Sequence, residues 1–193
     1  MMFQVRLHGR GGQGTVTAAE LLSVAAFHQG QFAQAFPSFG SERMGAPVMA
    51  FCRLDTVPIR LREPVVEPDA VLIQDATLLH CVDVFQGLRP GGYVLVNTGK
   101  ALADLGLDDL VARLPSEHVQ TIAATELALR HVGKPVPNAG LLGAFAAMTG
   151  AVTLASLEGA LRARFQPSVA GANVAAARAA YASLASPNRS ARC

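Results

Sequence analysis

The sequence predicts an α/β domain: a Rossmann-like, mostly parallel sheet with an antiparallel insertion and a helical C-terminal region. Three observations carry that prediction. A strand-like segment at residues 3–8 runs directly into Gly9-Arg10-Gly11-Gly12-Gln13-Gly14 and then into a helix-patterned stretch. Two continuous apolar runs, residues 70–74 and 93–97, have the composition of strands buried on both faces. Strand-like and helix-like segments alternate along most of the chain, the pattern of a parallel sheet with crossover helices.

Each element has its own local reason. Residues 3–8 alternate apolar and polar side chains, as a short strand does. In residues 15–29, Val16, Ala19, Leu21, Leu22, Ala25 and Ala26 make an apolar helical stripe. Thr17 and Glu20 have capping-box spacing, and Gly30 is the natural stop. Residues 31–36 form a second strand candidate. Residues 37–47 are irregular, holding Gly and Pro but also a Phe, a Met and the adjacent Glu42 and Arg43. Residues 48–54 and 57–61 are expected to pair about Asp55-Thr56 as the antiparallel insertion. Residues 77–87 read as helix, Pro90-Gly91-Gly92 as a turn, 107–113 as a short helix, 119–123 as a strand and 126–132 as a helix. Helices near 139–149, 157–165 and 169–184 close the chain. One domain is therefore expected over residues 1–185, with 186–193 a polar, flexible tail.

Composition narrows the function. Charged residues are 16% of 193, against about 25% in an average soluble domain, while apolar residues are 51%. That deficit points to a surface partly covered by other subunits. The net charge of +2 comes without a basic stripe or an aromatic platform, which disfavours nucleic acid. Cys52, Cys81 and Cys193 are scattered and odd in number. They make neither a disulfide framework nor a cysteine-only iron–sulfur or zinc site, and they fit a reducing cytoplasm. The N-terminus lacks the blocks of a signal peptide. The longest uncharged stretch, 135–157, is broken by Pro137, Asn138, Gly140, Gly143 and Gly150, and reads as buried helix rather than a membrane span.

The glycine loop is the first chemical candidate. Gly9, Gly11 and Gly14 satisfy G-x-G-x-x-G between a strand and a helix. Such a loop turns backbone N–H groups and a helix N-terminus toward a phosphate or carboxylate. A dinucleotide site also needs an acid about 20 residues on, for the ribose. Ala33-Gln34-Ala35-Phe36 occupies that region, so a private NAD or FAD site is disfavoured. The bland alternative is a tight turn that lets strand and helix pack. Arg43, between Gly40 and Gly45, can offer a planar fork to an anion or pair with Glu42 at an interface. Asn138 opens a helix and reads first as its N-cap. The five histidines have no ligand spacing with each other or with the cysteines, and no complete catalytic apparatus is visible.

Gly9 to Gly14, Phe39-Gly40-Ser41-Glu42-Arg43-Met44-Gly45-Ala46, Pro58-Ile59-Arg60, Glu67-Pro68-Asp69, Gly92 to Asn97 and Asn138 to Ala144 together resemble the gamma subunit of 2-oxoacid:acceptor oxidoreductases, the pyruvate and 2-ketoisovalerate ferredoxin oxidoreductase family. The resemblance runs in order over nearly the whole chain. One departure is Met44-Gly45-Ala46, where many relatives are expected to carry an arginine and two glycines. The resemblance implies a subunit of a complex that oxidatively decarboxylates a 2-oxoacid to an acyl-CoA. Thiamine diphosphate and iron–sulfur clusters then belong to other subunits, a thiamine-binding alpha and beta and a ferredoxin-like delta. The acceptor is ferredoxin, or NAD through a flavin subunit. This chain would hold no cofactor alone and would be inactive alone. Gly9, Arg10, Gly11, Gly12, Gln13, Gly14, Ser41, Glu42, Arg43, Gly45 and Asn138 become its candidate contacts on the coenzyme A side. A purely structural subunit and a stand-alone nucleotide-binding dehydrogenase are the alternatives. The 2-oxoacid itself stays open among pyruvate, branched-chain, 2-oxoglutarate and aryl acids such as phenylglyoxylate.

Overall fold

The computed structural model describes residues 2–38 and 44–185. β1 (Phe3–Arg10) leads into α1 (Thr15–His28), then β2 (Phe32–Pro37), β3 (Pro47–Asp55), β4 (Ala70–Ile73) and β5 (Tyr93–Asn97). The one-turn α2 (Asp108–Val111), β6 (Val119–Ile122) and α3 (Ala124–Val132) follow. α4 (Asn138–Thr149), α5 (Leu154–Arg164) and α6 (Pro167–Ala185) complete the described chain. Ser41, Glu42, Arg43 and the tail expected at 186–193 lie outside the described residues.

The six strands are ordered β2-β3-β1-β4-β5-β6. β1, β4, β5 and β6 run parallel, and β3 is antiparallel to both β1 and β2. The antiparallel insertion is thus the β2–β3 pair. Residues 57–61, expected as a strand against 48–54, form none. β3 already has β1 on one side and β2 on the other, and Pro58 has no N–H to give a ladder.

Successive strand residues face opposite sides of the sheet. Val5 and Leu7 of β1, Cys52 and Leu54 of β3 and Leu95 of β5 join the core beneath α1, α4, α5 and α6. Val71, Ile73, Val94 and Val96 face the other way, onto Leu78, Val84, Leu107 and Leu110. Residues 77–87 cover that second face as a 3-10 turn (Ala76–His80) and further turns, not as the expected helix. The carbonyls of Val84 and Gln86 accept instead from Arg6, at 3.0 and 2.5 Å.

α1 ends as its sequence predicts. Gly30 is left-handed at φ 83°, and Gln31 N donates to the Ala26 carbonyl at 3.0 Å. Its start differs. The cap is Gly14, so Thr17 already lies inside the first turn and no capping box with Glu20 forms. No helix among the described residues is long and apolar enough to cross a membrane.

Candidate functional site

The carboxyl end of β1 is where the glycine loop lies, at the point where the sheet turns from β1 into α1. Gly9 is the closest approach. A Cβ there would collide with Thr15 Oγ1 and would stand 2.5 Å from Gln74 Oε1. Gly14 is left-handed at φ 74°, and a Cβ there would meet Asn138 Nδ2 at 2.8 Å. Both positions therefore require glycine.

A buried polar chain lies beneath the loop. Thr15 Oγ1 donates to Gln74 Oε1 at 2.7 Å, Gln74 Nε2 to Asn138 Oδ1 at 2.6 Å, and Asn138 Nδ2 to the Gly14 carbonyl at 3.0 Å. Thr15, Gln74 and Asn138 are all buried. Asn138 is thus the first residue of α4 and not its side-chain cap, because its amide is spent on the loop. Asn97 continues the chain, donating to the Gln74 carbonyl and to Thr125 Oγ1, both at 2.8 Å. The ends of β1, β4, β5 and the starts of α1, α3 and α4 are tied into one unit.

The outer side of the loop is held by Asp75. Arg10 Nε lies 3.2 Å from Asp75 Oδ2, and Gln13 Nε2 donates to the same oxygen at 2.9 Å. Arg10 also donates to Thr77 Oγ1 and to the Gly45 carbonyl, at 2.7 and 3.0 Å. Burial pushes the Asp75 carboxyl up, but the Thr77 and Gln13 hydrogen bonds and the Arg10 charge outweigh it and hold it below the usual range. The Arg10 guanidinium is therefore committed to protein partners. Gly11 N donates to the Ala46 carbonyl at 2.9 Å and Gly45 N to the Gly11 carbonyl at 3.1 Å. Met44 packs its terminal methyl close to Gly12, itself left-handed at φ 92°.

What remains available is backbone. α1 has no side-chain cap and no acid in its first turn. Among the described residues, the N–H groups of Gly12 and Gly14 and those of the α1 first turn have no protein acceptor. They lie at the positive end of the helix dipole, an arrangement suited to an anion. The structure thus brings together Gly9, Arg10, Gly11, Gly12, Gln13, Gly14, Gly45 and Asn138. Gln74, Asp75, Thr77 and Thr15 are the supports that sequence reasoning missed. Their only signal is their place just after a buried strand and a glycine loop. No group of three metal-ligating side chains occurs among the described residues. Cys52 is buried, which pushes its thiol well above the ordinary range.

The family model for pyruvate ferredoxin/flavodoxin oxidoreductase matches residues 4–183. The chain belongs to that family. Within it, the chain is 51% identical over 162 residues to pyruvate synthase subunit PorC of Methanosarcina barkeri, covering 84% of this chain and 86% of that one. It is 46% identical to the pyruvate/ketoisovalerate oxidoreductases common subunit gamma of Pyrococcus furiosus, covering 93% and 96%. Its fold matches the crystal structure of pyruvate oxidoreductase subunit PORC from Thermotoga maritima with a TM-score of 0.79 at 35% identity, over 94% and 96% of the two chains. At 17% identity and TM-score 0.74 the same fold forms part of 2-oxoglutarate:ferredoxin oxidoreductase from Magnetococcus marinus, whose chain is matched over 31% of its length. This family member is a gamma-type subunit of an oxidoreductase complex.

Proposed function

We propose that this gamma-type chain serves a CoA-acylating 2-oxoacid:acceptor oxidoreductase, with pyruvate as the 2-oxoacid, and forms part of its coenzyme A side. Pyruvate is the 2-oxoacid in the names of the Methanosarcina, Pyrococcus and Thermotoga relatives, beside ketoisovalerate in the Pyrococcus one. The Pyrococcus subunit is common to a pyruvate and a ketoisovalerate enzyme, which supports substrate choice lying on other subunits. Those subunits, a thiamine-binding alpha and beta and a ferredoxin-like delta, would supply decarboxylation and electron removal through thiamine diphosphate and iron–sulfur clusters. The acceptor is ferredoxin, and the compartment the cytoplasm.

The observation that carries the reading is the set of amides without a protein acceptor at Gly12, Gly14 and the α1 N-terminus, with Asn138 tied to the Gly14 carbonyl beneath them. A coenzyme A phosphate is the anion that such a reaction brings to this subunit. The Magnetococcus relative, which shares the fold, is described with coenzyme A bound. In this assignment Gly9, Gly11 and Gly45 shape the loop, while Arg10, Gln13 and Asn138 position it. Gly12 and Gly14 offer their amides to the ligand, and Ser41, Glu42 and Arg43 are assigned to it from the family resemblance alone. A purely structural role is the second reading, favoured by the full engagement of Arg10 and Gln13 within the protein.

Arg43→Lys in the assembled complex separates the two. Lysine cannot reproduce a bidentate fork. A charge-assisted hydrogen bond contributes about 1.5–3 kcal/mol, so the apparent KM for coenzyme A should rise roughly tenfold or more. The first half-reaction with pyruvate should change little. An intact complex with unchanged coenzyme A kinetics would remove Arg43 from the ligand site. Loss of subunits in gel filtration, with normal affinity in what remains, would make it an interface residue.

A further inference from the structure

A cavity of about 330 Å3 lies on the sheet face opposite α1. Arg6 and His8 of β1 line it, with Met49 and Phe51 of β3 beside them and Val65 and Val82 from the covering loops. Arg6 is 5% exposed and His8 2%. The Arg6 Nε donates to His8 Nε2 at 3.1 Å, and its NH2 group serves the Val84 and Gln86 carbonyls. Accepting at Nε2 puts the imidazole proton on Nδ1. Among the described residues, neither the NH1 group of Arg6 nor Nδ1 of His8 has a hydrogen-bond acceptor. Both reach an open space whose other walls are mostly apolar, with the polar Ser38, Asp83 and Gln86 among them, where an acceptor can meet them.

The volume sits at the small end of ligand pockets. Asp83 lines the cavity as well, which disfavours a dianion such as phosphate. A single carboxylate matches the planar guanidinium and the imidazole N–H together. We propose that this cavity binds a short-chain monocarboxylate, its carboxylate on Arg6 and His8 and its tail against Phe51, Val65 and Val82. The site is separate from the glycine loop, and it stands whether or not that loop takes coenzyme A. Free fatty acids and 2-oxoacids share this chemistry.

Titration calorimetry of the full chain with butanoate tests it, with 2-oxobutanoate and the neutral isostere butanamide alongside. Butanoate should bind saturably with one site, and butanamide at least tenfold more weakly. Binding of 2-oxobutanoate at equal or better affinity makes the natural ligand a 2-oxoacid; weaker binding makes it a simple carboxylate. Val65→Trp fills the cavity without touching the polar groups and should weaken butanoate at least tenfold. It keeps the test usable if Arg6→Gln, which also unties residues 84–86, fails to fold. No saturable binding, equal binding of the amide, or an unchanged Val65→Trp affinity would overturn the assignment. So would binding to the isolated chain that vanishes in the assembled complex, because a partner side chain would then be the true occupant.

Discussion

At the scale of single residues, the site is a matter of where buried polar groups find partners. Asn138 is the clearest instance. Asn138→Ala leaves the buried Gln74 amide without its partner, while the Gly14 carbonyl keeps the Ala18 N–H. Orphaned buried groups cost about 1–3 kcal/mol, so urea unfolding of the chain should show a loss of that size. A change below about 0.5 kcal/mol would mean that the loop does not depend on the chain beneath it. His8 has a pH signature. Burial first, and then the Arg6 charge, push its imidazole down to about 3, against an unfolded value near 6.5. The fold holds it neutral, so the unfolded chain binds a proton that the fold does not. Stability is then complete above about pH 6.5 and falls by up to about 1.4 kcal/mol per pH unit on the way down. Unfolding of His8→Gln should be flatter between about pH 6 and pH 4.5. An identical slope in both proteins would show that His8 is not the group responsible.

The elements were legible where local pattern and tertiary demand agree. Gly30 ends α1, the apolar runs at 70–74 and 93–97 became buried parallel strands, and Gly9 to Gly14 joins β1 to α1. They were illegible where a long-range partner decided. The alternation in β1 reads as one dry and one wet face, yet Arg6 and His8 on the polar side are buried. Residues 82–86 cover them, and nothing local to β1 announces that cover. The same contact keeps 77–87 from being a helix. β3 lost its expected partner because β1, some 45 residues earlier in sequence, takes that edge. In the site, the glycines were readable from their spacing, whereas Gln74 and Asp75 act only because β4 lies beside β1. Close packing of α4 on α6 gives a test at this scale. A Cβ on Gly143 would collide with the carbonyl of Ala177, whereas one on Gly171, also helical, meets open space. Gly143→Ala should cost about 1–3 kcal/mol through forced separation of the helices. That is a Tm loss of roughly 2–4 °C per kcal/mol at this size. Gly171→Ala should be neutral or stabilising by up to about 1 kcal/mol. Equal melting of the two variants would contradict the packing account.

For the molecule as a whole, the low charge and the exposed Phe27, Val57, Val66 and Met44 agree with a chain whose surface meets other subunits. Gamma-type membership places it in an oxidoreductase complex, and the proposal gives it the coenzyme A side of that complex. Amide hydrogen exchange in the assembled complex tests that claim most directly, read on the segment 9–17 with and without saturating coenzyme A. Exchange at Gly12, Gly14 and the first turn of α1 should slow at least tenfold with coenzyme A and stay unchanged with pyruvate alone. Unchanged exchange in this segment, in a complex that still turns over with saturating coenzyme A, would contradict the account.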